Sequence, residues 1–145
     1  MDMYKGKYNH TIDTKGRLIV PSKFRDLLGD EFVVTKGADG CLVVYDNNGW
    51  KAFEETLQEM PMNRKDVRQV ARFFLAGAAD VEVDKQGRIL IPTDLRDYAG
   101  LEKEVVLIGM ADKIEIWSKD RWEDASADQD VADTLEKMAE WGIRI

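Results

Sequence analysis

One stretch of this 145-residue chain occurs twice, and the duplication constrains the fold more than any other feature. Residues 13–29 return as residues 84–100, 71 positions later, and seven of the seventeen aligned positions are identical. Average residue usage would give about one identity by chance in such a window. Most of the other pairs exchange like for like, as Leu18 and Ile89 do. We therefore expect two modules that arose by duplication and are built around the same segment.

Each copy begins with the pattern Asp-x-x-Gly-Arg, at residues 13–17 and 84–88. An aspartate side chain in this position can accept hydrogen bonds from nearby backbone N–H groups and hold a turn. The glycine suits a backbone with positive φ, which residues with a Cβ rarely adopt. Because β-prone residues flank both patterns, we expect a hairpin-like pair of strands in each module. The paired segments would be 8–12 with 18–20, and 81–83 with 89–91.

Each turn is followed by a proline and then by a short amphipathic segment that ends at a glycine. Pro21 and Pro92 stop the strand and favour the start of a helix, for which Ser22 is a possible N-terminal cap. Gly29 and Gly100 are well placed to end these helices. Further β-rich runs complete the two modules, at residues 32–35, 41–45, 105–108 and 114–117.

Helical patterns lie between the modules and after them. Apolar stripes predict two connecting helices, one through Trp50, Phe53 and Leu57 and one through Val67, Val70, Ala71 and Phe74. The second helix also carries a basic stripe of Arg64, Arg68 and Arg72. Such a stripe is usually a solvated face, and direct contact with phosphate is the less favoured alternative. A weaker stripe after Trp122 predicts either an acidic surface helix or a partly ordered extension, through Val131, Leu135 and Met138.

The net charge of −7 argues at first against a nucleic-acid ligand, but its distribution is uneven. Residues 1–25 hold six Lys and Arg against Asp2 and Asp13, whereas residues 119–145 hold eight Asp and Glu against four Lys and Arg. A local basic surface is therefore compatible with the acidic total. The N-terminus lacks the apolar region of a signal peptide, and the apolar runs are too short to cross a membrane. We expect a soluble protein of the cytosol.

Residues for catalysis are scarce. His10 is the single histidine and lies in a predicted strand, which favours a structural role. Cys41 stands between a turn glycine and apolar residues, as a buried and inert thiol would. Asp13 and Asp84 could be imagined as a carboxylate pair, but turn stabilisation beside an arginine explains them more simply. No metal-ligand set or nucleophile motif is present, so we expect neither an enzyme nor a bound cofactor.

A binding function is easier to support from these residues. The two turns place Arg17 and Arg88 in equivalent settings, and a pseudo-twofold relation between the modules could bring both to one face. Arginine on such a face can bind the O6 and N7 atoms of guanine in a DNA groove. Ion pairing with the turn aspartates is an equally weighted alternative, and neither role excludes the other. For Arg25 and Arg96, on the following helices, we expect structural ion pairs.

The duplicated pattern is Asp-x-x-Gly-Arg, three apolar residues, Pro, two variable residues, an apolar residue and Arg. It resembles the swapped-hairpin AbrB/SpoVT DNA-binding domain. Two such domains, with the opening segment 8–17 and the segments 73–79 and 114–118, resemble the MraZ family of bacterial transcriptional regulators. The resemblance covers residues 4–123 and implies an α+β fold with two tandem, interleaved modules that form an intramolecular pseudo-dimer. The expected units are domain 1 (6–48), a helical connection (49–76), domain 2 (77–120) and an acidic tail (121–145).

The resemblance also implies a function. Family members form ring-shaped homo-oligomers and bind short direct repeats in double-stranded promoter DNA ahead of their own division and cell-wall genes, usually as repressors. The implied DNA-binding residues are Arg17 and Arg88 with Thr14, Lys15, Lys85 and Gln86 in support, and Asp13, Gly16, Asp84 and Gly87 maintain the motif. The second motif departs from the first, with Gln86 where the first has Lys15, so unequal contributions are expected. The expected location is the cytoplasm, in association with the nucleoid. The alternative is an antitoxin-type module that binds a protein and has no direct DNA role.

Overall fold

The computed structural model describes residues 3–127 and 129–145. Asp2 and Asp128, which count toward the charge distribution, lie outside those residues. The elements, in chain order, are β1 (Lys7–Thr11), β2 (Arg17–Ile19), α1 (Ser22–Leu28), β3 (Glu31–Lys36), β4 (Leu42–Tyr45), α2 (Asn47–Gln58), α3 (Lys65–Gly77), β5 (Ala79–Glu82), β6 (Arg88–Leu90), α4 (Thr93–Ala99), β7 (Glu104–Gly109), β8 (Ile114–Ser118), α5 (Lys119–Ala127) and α6 (Val131–Glu140).

The main sheet has six antiparallel strands in the order β1-β7-β8-β4-β3-β5. From one edge of the sheet to the other, the strands belong to the first, second, second, first, first and second module, so the two modules interleave. The duplicates are β1 and β5, β3 and β7, and β4 and β8. When each strand is exchanged for its duplicate, the strand order is the same as before but is read from the opposite edge of the sheet. The sheet therefore has an internal pseudo-twofold between β4 and β8, and the expected α+β fold of two interleaved modules is confirmed.

The predicted hairpins within each module are wrong. β1 pairs with β7 and β5 pairs with β3, while β2 and β6 pair with each other as a separate two-stranded sheet. The local contacts that remain in the first module are a bridge between Ile12 and Leu18 and the backbone hydrogen bonds of the turn, such as the one that the N–H of Asp13 donates to the carbonyl of Arg17 at 3.0 Å. A hairpin formed within one module would leave the apolar side chains of its short second strand without a packing partner. Pairing across the modules gives both short strands a partner, because β2 and β6 pair with each other.

The main hydrophobic core lies between the six-stranded sheet, the β2–β6 sheet and the short helices α1 and α4. Phe24 from α1 and Leu95 from α4 are almost fully buried there, as equivalent residues of the two copies. The opposite face of β7 and β8 carries a smaller cluster, because side chains alternate between the faces of a strand. Val106, Trp117 and the buried Cys41 form this second cluster, with Trp122 of α5 packed against it.

Several local predictions also differ from the structure. The N-cap of α1 is Pro21, without a side-chain cap, and Ser22 is the first helical residue. In the apolar stripe of α3, Ala71 is buried but Val70 is largely exposed, because only part of that face reaches the sheet. The stripe after Trp122 forms helix α6, which buries none of its residues. Of the two alternatives, the surface helix is the one observed.

Candidate nucleic-acid interface

The site is built on the ribbon, the two-stranded antiparallel sheet of β2 and β6. Arg17 lies opposite Leu90, Leu18 opposite Ile89, and Ile19 opposite Arg88. The central pair is the pseudo-twofold centre of this small sheet, since Leu18 and Ile89 are duplicates. The ribbon therefore holds one strand from each module, and neither module forms it alone.

Strand periodicity divides the ribbon into two faces. Leu18 and Ile89 point inward and are almost completely buried in the main core. The alternate residues lie on the outer face, where strand geometry places side chains at positions i and i+2 together. Those residues are Arg17, Ile19, Arg88 and Leu90. The sequence prediction that the two arginines share a face depends on this pairing, which the structure provides.

In the first turn, the carboxylate of Asp13 accepts several hydrogen bonds that hold the arginine in place. The Oδ1 atom of Asp13 accepts hydrogen bonds from the backbone N–H groups of Lys15, at 3.0 Å, and of Arg17, at 2.8 Å. Its Oδ2 atom accepts one from the Nε of Arg17 at 2.8 Å. The aspartate therefore fixes both the backbone of the turn and the direction in which the arginine side chain leaves it.

The second turn repeats this arrangement. Asp84 accepts hydrogen bonds from the backbone N–H groups of Gln86 and Arg88, both at 2.9 Å, and from the Nε of Arg88 at 3.0 Å. In both turns the backbone N–H of the arginine is the main cause that lowers the pKa of the aspartate below its ordinary value, and the guanidinium adds to it. The carboxylates therefore stay ionised and remain hydrogen-bond acceptors.

The ion pairs leave part of each guanidinium available. The hydrogen bonds that the side chains of Arg17 and Arg88 form with other described residues use Nε alone. The two Nη atoms of each side chain are the outer prongs of the planar fork that binds guanine or phosphate. Both roles weighed for these arginines are thus compatible in one geometry, because Nε is held by the aspartate and the Nη atoms have no hydrogen-bond partner among the described residues.

Each turn also accepts a backbone hydrogen bond from the opposite module. The backbone N–H of Ile91 donates to the carbonyl of Gly16 at 2.8 Å, and that of Val20 donates to the carbonyl of Gly87 at 3.0 Å. These bonds extend the ribbon by one residue at each end. The position of a turn from one repeat is consequently set by the strand of the other.

Arg25 and Arg96 also contact the turns of the opposite module. The ion pairs predicted for them are not found among the described residues. The Nε of Arg25 donates to the carbonyl of Val20, and that of Arg96 to the carbonyl of Ile91, both at 3.0 Å. Their guanidinium groups cover the turn glycines of the opposite module, Arg96 over Gly16 and Arg25 over Gly87. The carbonyl at each strand end lies within reach, so a main-chain acceptor takes the place of a carboxylate.

The supporting residues named from the sequence lie on the exposed loops beside the ribbon. Thr14, Lys15, Lys85 and Gln86 are all solvent-exposed. The loops are not equivalent, because the first carries Thr-Lys where the second carries Lys-Gln. Lys15, Arg17, Lys85 and Arg88 supply four positive charges around the ribbon against the two aspartates. A local basic surface is therefore present on an acidic protein.

Two exposed apolar residues on the same face, Ile19 and Leu90, were missed by sequence reasoning. Their exposed fractions are 44% and 57%. Both lie in short apolar runs, and such a run does not by itself indicate which side of the strand each residue occupies. The available signal was the alternation around the core residues Leu18 and Ile89, which places the neighbours of a buried strand residue on the opposite side.

Other residues considered for chemistry lie away from the ribbon. Burial raises the pKa of the Cys41 thiol to about 12, and the charges of Glu115 and Asp39 add to that rise. The prediction that this thiol is buried is confirmed. His10 is half-buried in β1. Among residues 3–127 and 129–145, no group of His, Cys, Asp and Glu side chains forms a metal site, and none of the helices is long and apolar enough to span a membrane.

The interleaved sheet and the shared ribbon define a tandem, intramolecular form of the AbrB-like swapped-hairpin fold. A family profile described as "MraZ protein, putative antitoxin-like" matches residues 3–73 and again residues 74–140. The chain belongs to this MraZ family. A solution structure from Pyrococcus horikoshii covers 77% of this chain and 94% of its own at 20% identity, but its TM-score of 0.33 is too low to bear on the fold.

Relatives named "Transcriptional regulator MraZ" match nearly the whole chain. The protein of Lachnoclostridium phytofermentans is 58% identical over 97% of this chain and 99% of its own. That of Acetivibrio thermocellus is 52% identical over 97% and 100%, and that of Caldanaerobacter subterraneus subsp. tengcongensis is 54% identical over 95% of each. The family is thus one of transcriptional regulators, which are not a class of enzymes.

Proposed function

We propose that this protein regulates transcription by sequence-specific binding of double-stranded promoter DNA through the β2–β6 ribbon. The observation that carries the proposal is the outer face of that ribbon. It presents Arg17 and Arg88 together, each with Nε held by an aspartate and with Nη atoms that have no hydrogen-bond partner among the described residues. Both side chains are held in place before binding, which reduces the conformational entropy lost on association.

The shape of the ribbon suits the major groove. That groove admits a two-stranded β-ribbon, and its edge offers the O6 and N7 acceptors of guanine, which arginine contacts in a bidentate manner. The exposed side chains of Thr14, Lys15, Lys85 and Gln86 flank the ribbon, where the phosphate backbones would lie. Contacts of that kind position a protein on DNA, while the arginines supply the choice of base.

The asymmetry of the two loops gives the interface a direction. A ribbon with identical halves would fit a palindromic site equally well in both orientations. Because Lys15 has Gln86 as its counterpart, one orientation on the DNA is favoured over the other. A preferred orientation suits sites arranged as direct repeats, which the resemblance to the family implies for the promoter ahead of the protein's own gene cluster.

The proposal includes the ring-shaped homo-oligomer that the resemblance to the family implies, and such an assembly would let an acidic chain bind DNA. Its net charge is −7, so a single basic ribbon is opposed by long-range repulsion from DNA. Several ribbons that bind successive repeats would add their affinities through effective concentration. The assembly would act as a repressor and associate with the nucleoid.

The test is binding of the purified full-length protein to the DNA upstream of its own gene, measured by gel shift at several salt concentrations. We expect specific binding that weakens steeply with salt and requires adjacent repeats. Substituting Arg17→Ala removes one bidentate contact, and the affinity should fall about 5- to 150-fold. The oligomer, measured by sedimentation, should stay intact because Arg17 lies on the exposed ribbon.

The matched control is Arg64→Ala. Arg64 is exposed and also pairs with an aspartate, Asp66, at 2.9 Å, but it lies at the N-cap of α3 and not on the ribbon. We expect this variant to bind DNA like the wild type. An Arg17→Ala variant with unchanged DNA affinity would contradict the role assigned to the ribbon. A loss of DNA affinity with Arg64→Ala would indicate that the basic stripe of α3 contacts phosphate.

The alternative is an antitoxin-type module that binds a protein and not DNA. The acidic net charge and the antitoxin-like description of the family favour it. It predicts no preference for the upstream DNA over random DNA and co-purification of a basic protein. The same gel shifts therefore separate the two functions.

A further inference from the structure

The outer face of the ribbon contains two aliphatic side chains that the arginines alone do not explain. Ile19 is 44% exposed and Leu90 is 57% exposed, in contrast to the buried pair Leu18 and Ile89 on the inner face. Single exposed apolar residues are common on protein surfaces. Here, however, duplicate positions in both modules are aliphatic, and both lie on the face that carries the arginines.

The register of the ribbon combines these residues into two equivalent units. Leu90 stands directly opposite Arg17, and Ile19 stands directly opposite Arg88. Side chains opposite each other in an antiparallel pair have Cβ atoms about 4.5–5.5 Å apart. Each arginine therefore has an aliphatic neighbour at close range, and the pseudo-twofold relates one Arg–aliphatic unit to the other.

The chemistry of these units matches two neighbouring features of the major groove. The arginine fork fits guanine, and an aliphatic side chain fits the C5 methyl group of thymine. Neither the phosphate backbone nor the minor groove offers an apolar group of this kind. Stacked bases on one strand are about 3.4 Å apart, so two side chains at the separation of a cross-strand pair can reach adjacent base pairs.

We propose that Ile19 and Leu90 determine specificity by packing against thymine C5 methyl groups beside the guanines that Arg88 and Arg17 contact. This inference rests on the proposed function of the ribbon and adds the second base to its preference. The site would combine guanine with a thymine on a neighbouring base pair, once for each half of the ribbon. Ile19 and Leu90 differ in shape, so the two halves would differ in the strength of that preference.

The experiment is a scan of the upstream DNA with deoxyuridine, which lacks only the C5 methyl group of thymine. The segment protected by the wild-type protein is first located by footprinting. Each thymine in it is then replaced singly, and affinity is measured by fluorescence anisotropy at constant salt. Losing the burial of one methyl group should weaken binding about fourfold at the contacted thymines and leave the others unchanged.

Two variants assign the contacts. Ile19→Ala and Leu90→Ala should each abolish the effect of deoxyuridine at one thymine position and keep it at the other. The matched control is Leu135→Ala, which truncates an equally exposed aliphatic side chain on α6 and should keep the wild-type deoxyuridine pattern. The wild-type scan needs no substitution in the protein, so the inference stays testable even if a variant is unstable.

The outcomes separate the inference from the proposed function. Specific, Arg17-dependent binding that is insensitive to every deoxyuridine replacement would overturn the thymine contact and leave the DNA-binding function in place. Absence of any protected segment would overturn both the thymine contact and the proposed DNA-binding function. Sensitivity at one or two thymines that disappears with the matching variant would support the inference.

Discussion

At the scale of single residues, Gly16 and Gly87 are constrained twice. Both have positive φ, +91° and +79°, and both lie under an arginine of the opposite module. A Cβ at Gly16 would stand 2.7 Å from the Nε of Arg96 and 2.8 Å from the carbonyl oxygen of Ile91. At Gly87 the nearest atoms belong to the Arg25 guanidinium, at 3.0 Å, which can move more easily than backbone.

We therefore expect Gly16→Ala to destabilise the protein more than Gly87→Ala. The strained φ costs about 1–3 kcal/mol at either position, and the collision with backbone adds to it at Gly16. Urea unfolding measures the difference. Gly29→Ala is the matched control, because its φ is +81° and a Cβ there would meet nothing within 4 Å. Equal losses in all three variants would show that cross-module packing at the turns contributes no stability.

At the scale of elements, helix α3 is anchored to the sheet by one buried hydroxyl. Thr35 of β3 is fully buried, and its Oγ1 donates to the carbonyl of Phe74 at 2.6 Å. That carbonyl belongs to the last turn of α3, where helical carbonyls lack intrahelical donors. The hydroxyl therefore caps the end of the helix and attaches it to the sheet at the same point.

Replacing Thr35 by valine keeps the shape of the side chain and removes the donor. We expect a loss of about 1–3 kcal/mol in the free energy of unfolding, because a buried carbonyl is left without its partner. Thr35→Ser retains the hydroxyl and should lose less. Thr56→Val is the control, since that hydroxyl bonds the carbonyl of Ala52 on the exposed side of α2. A Thr35→Val protein that unfolds at the wild-type urea concentration would contradict the anchoring role.

At the scale of the whole molecule, the fold depends on both repeats. In the described residues β1 pairs only with β7 and β2 is paired along its length with β6, while β3 and β4 each have one partner from the second module. A fragment of residues 1–73 lacks all of these second-module strands. It can replace them only by taking the equivalent strands from another copy of itself.

We expect this fragment to be unfolded as a monomer and to gain β structure only as a dimer. Circular dichroism and sedimentation over a range of concentrations measure both properties. The full chain is the control and should keep its spectrum on dilution, because its strand partners lie in one chain. A folded monomeric fragment would show that interleaving is not required for stability.

Much of this protein was predictable from sequence alone. The duplicated Asp-x-x-Gly-Arg pattern determined the turns, because aspartate and glycine act through bonds and φ angles within five residues. The locations of the strands and of α1 and α4 followed from local periodicity. The boundaries of the four sequence units and the DNA-contact residues stay predictions, and the latter are tested by the ribbon variants above.

Tertiary structure decided which strands pair and which side chains share a face. Period-two alternation predicts a strand, but it does not identify the strand with which it pairs. β2 pairs with its duplicate 71 residues away and not with the nearest segment, because pairing across the modules buries Leu18 with Ile89. The same long-range pairing exposed Ile19 and Leu90 beside the two arginines. It also placed Arg25 and Arg96 over the opposite turns. These features depend on contacts between distant segments, which no local pattern in either repeat encodes.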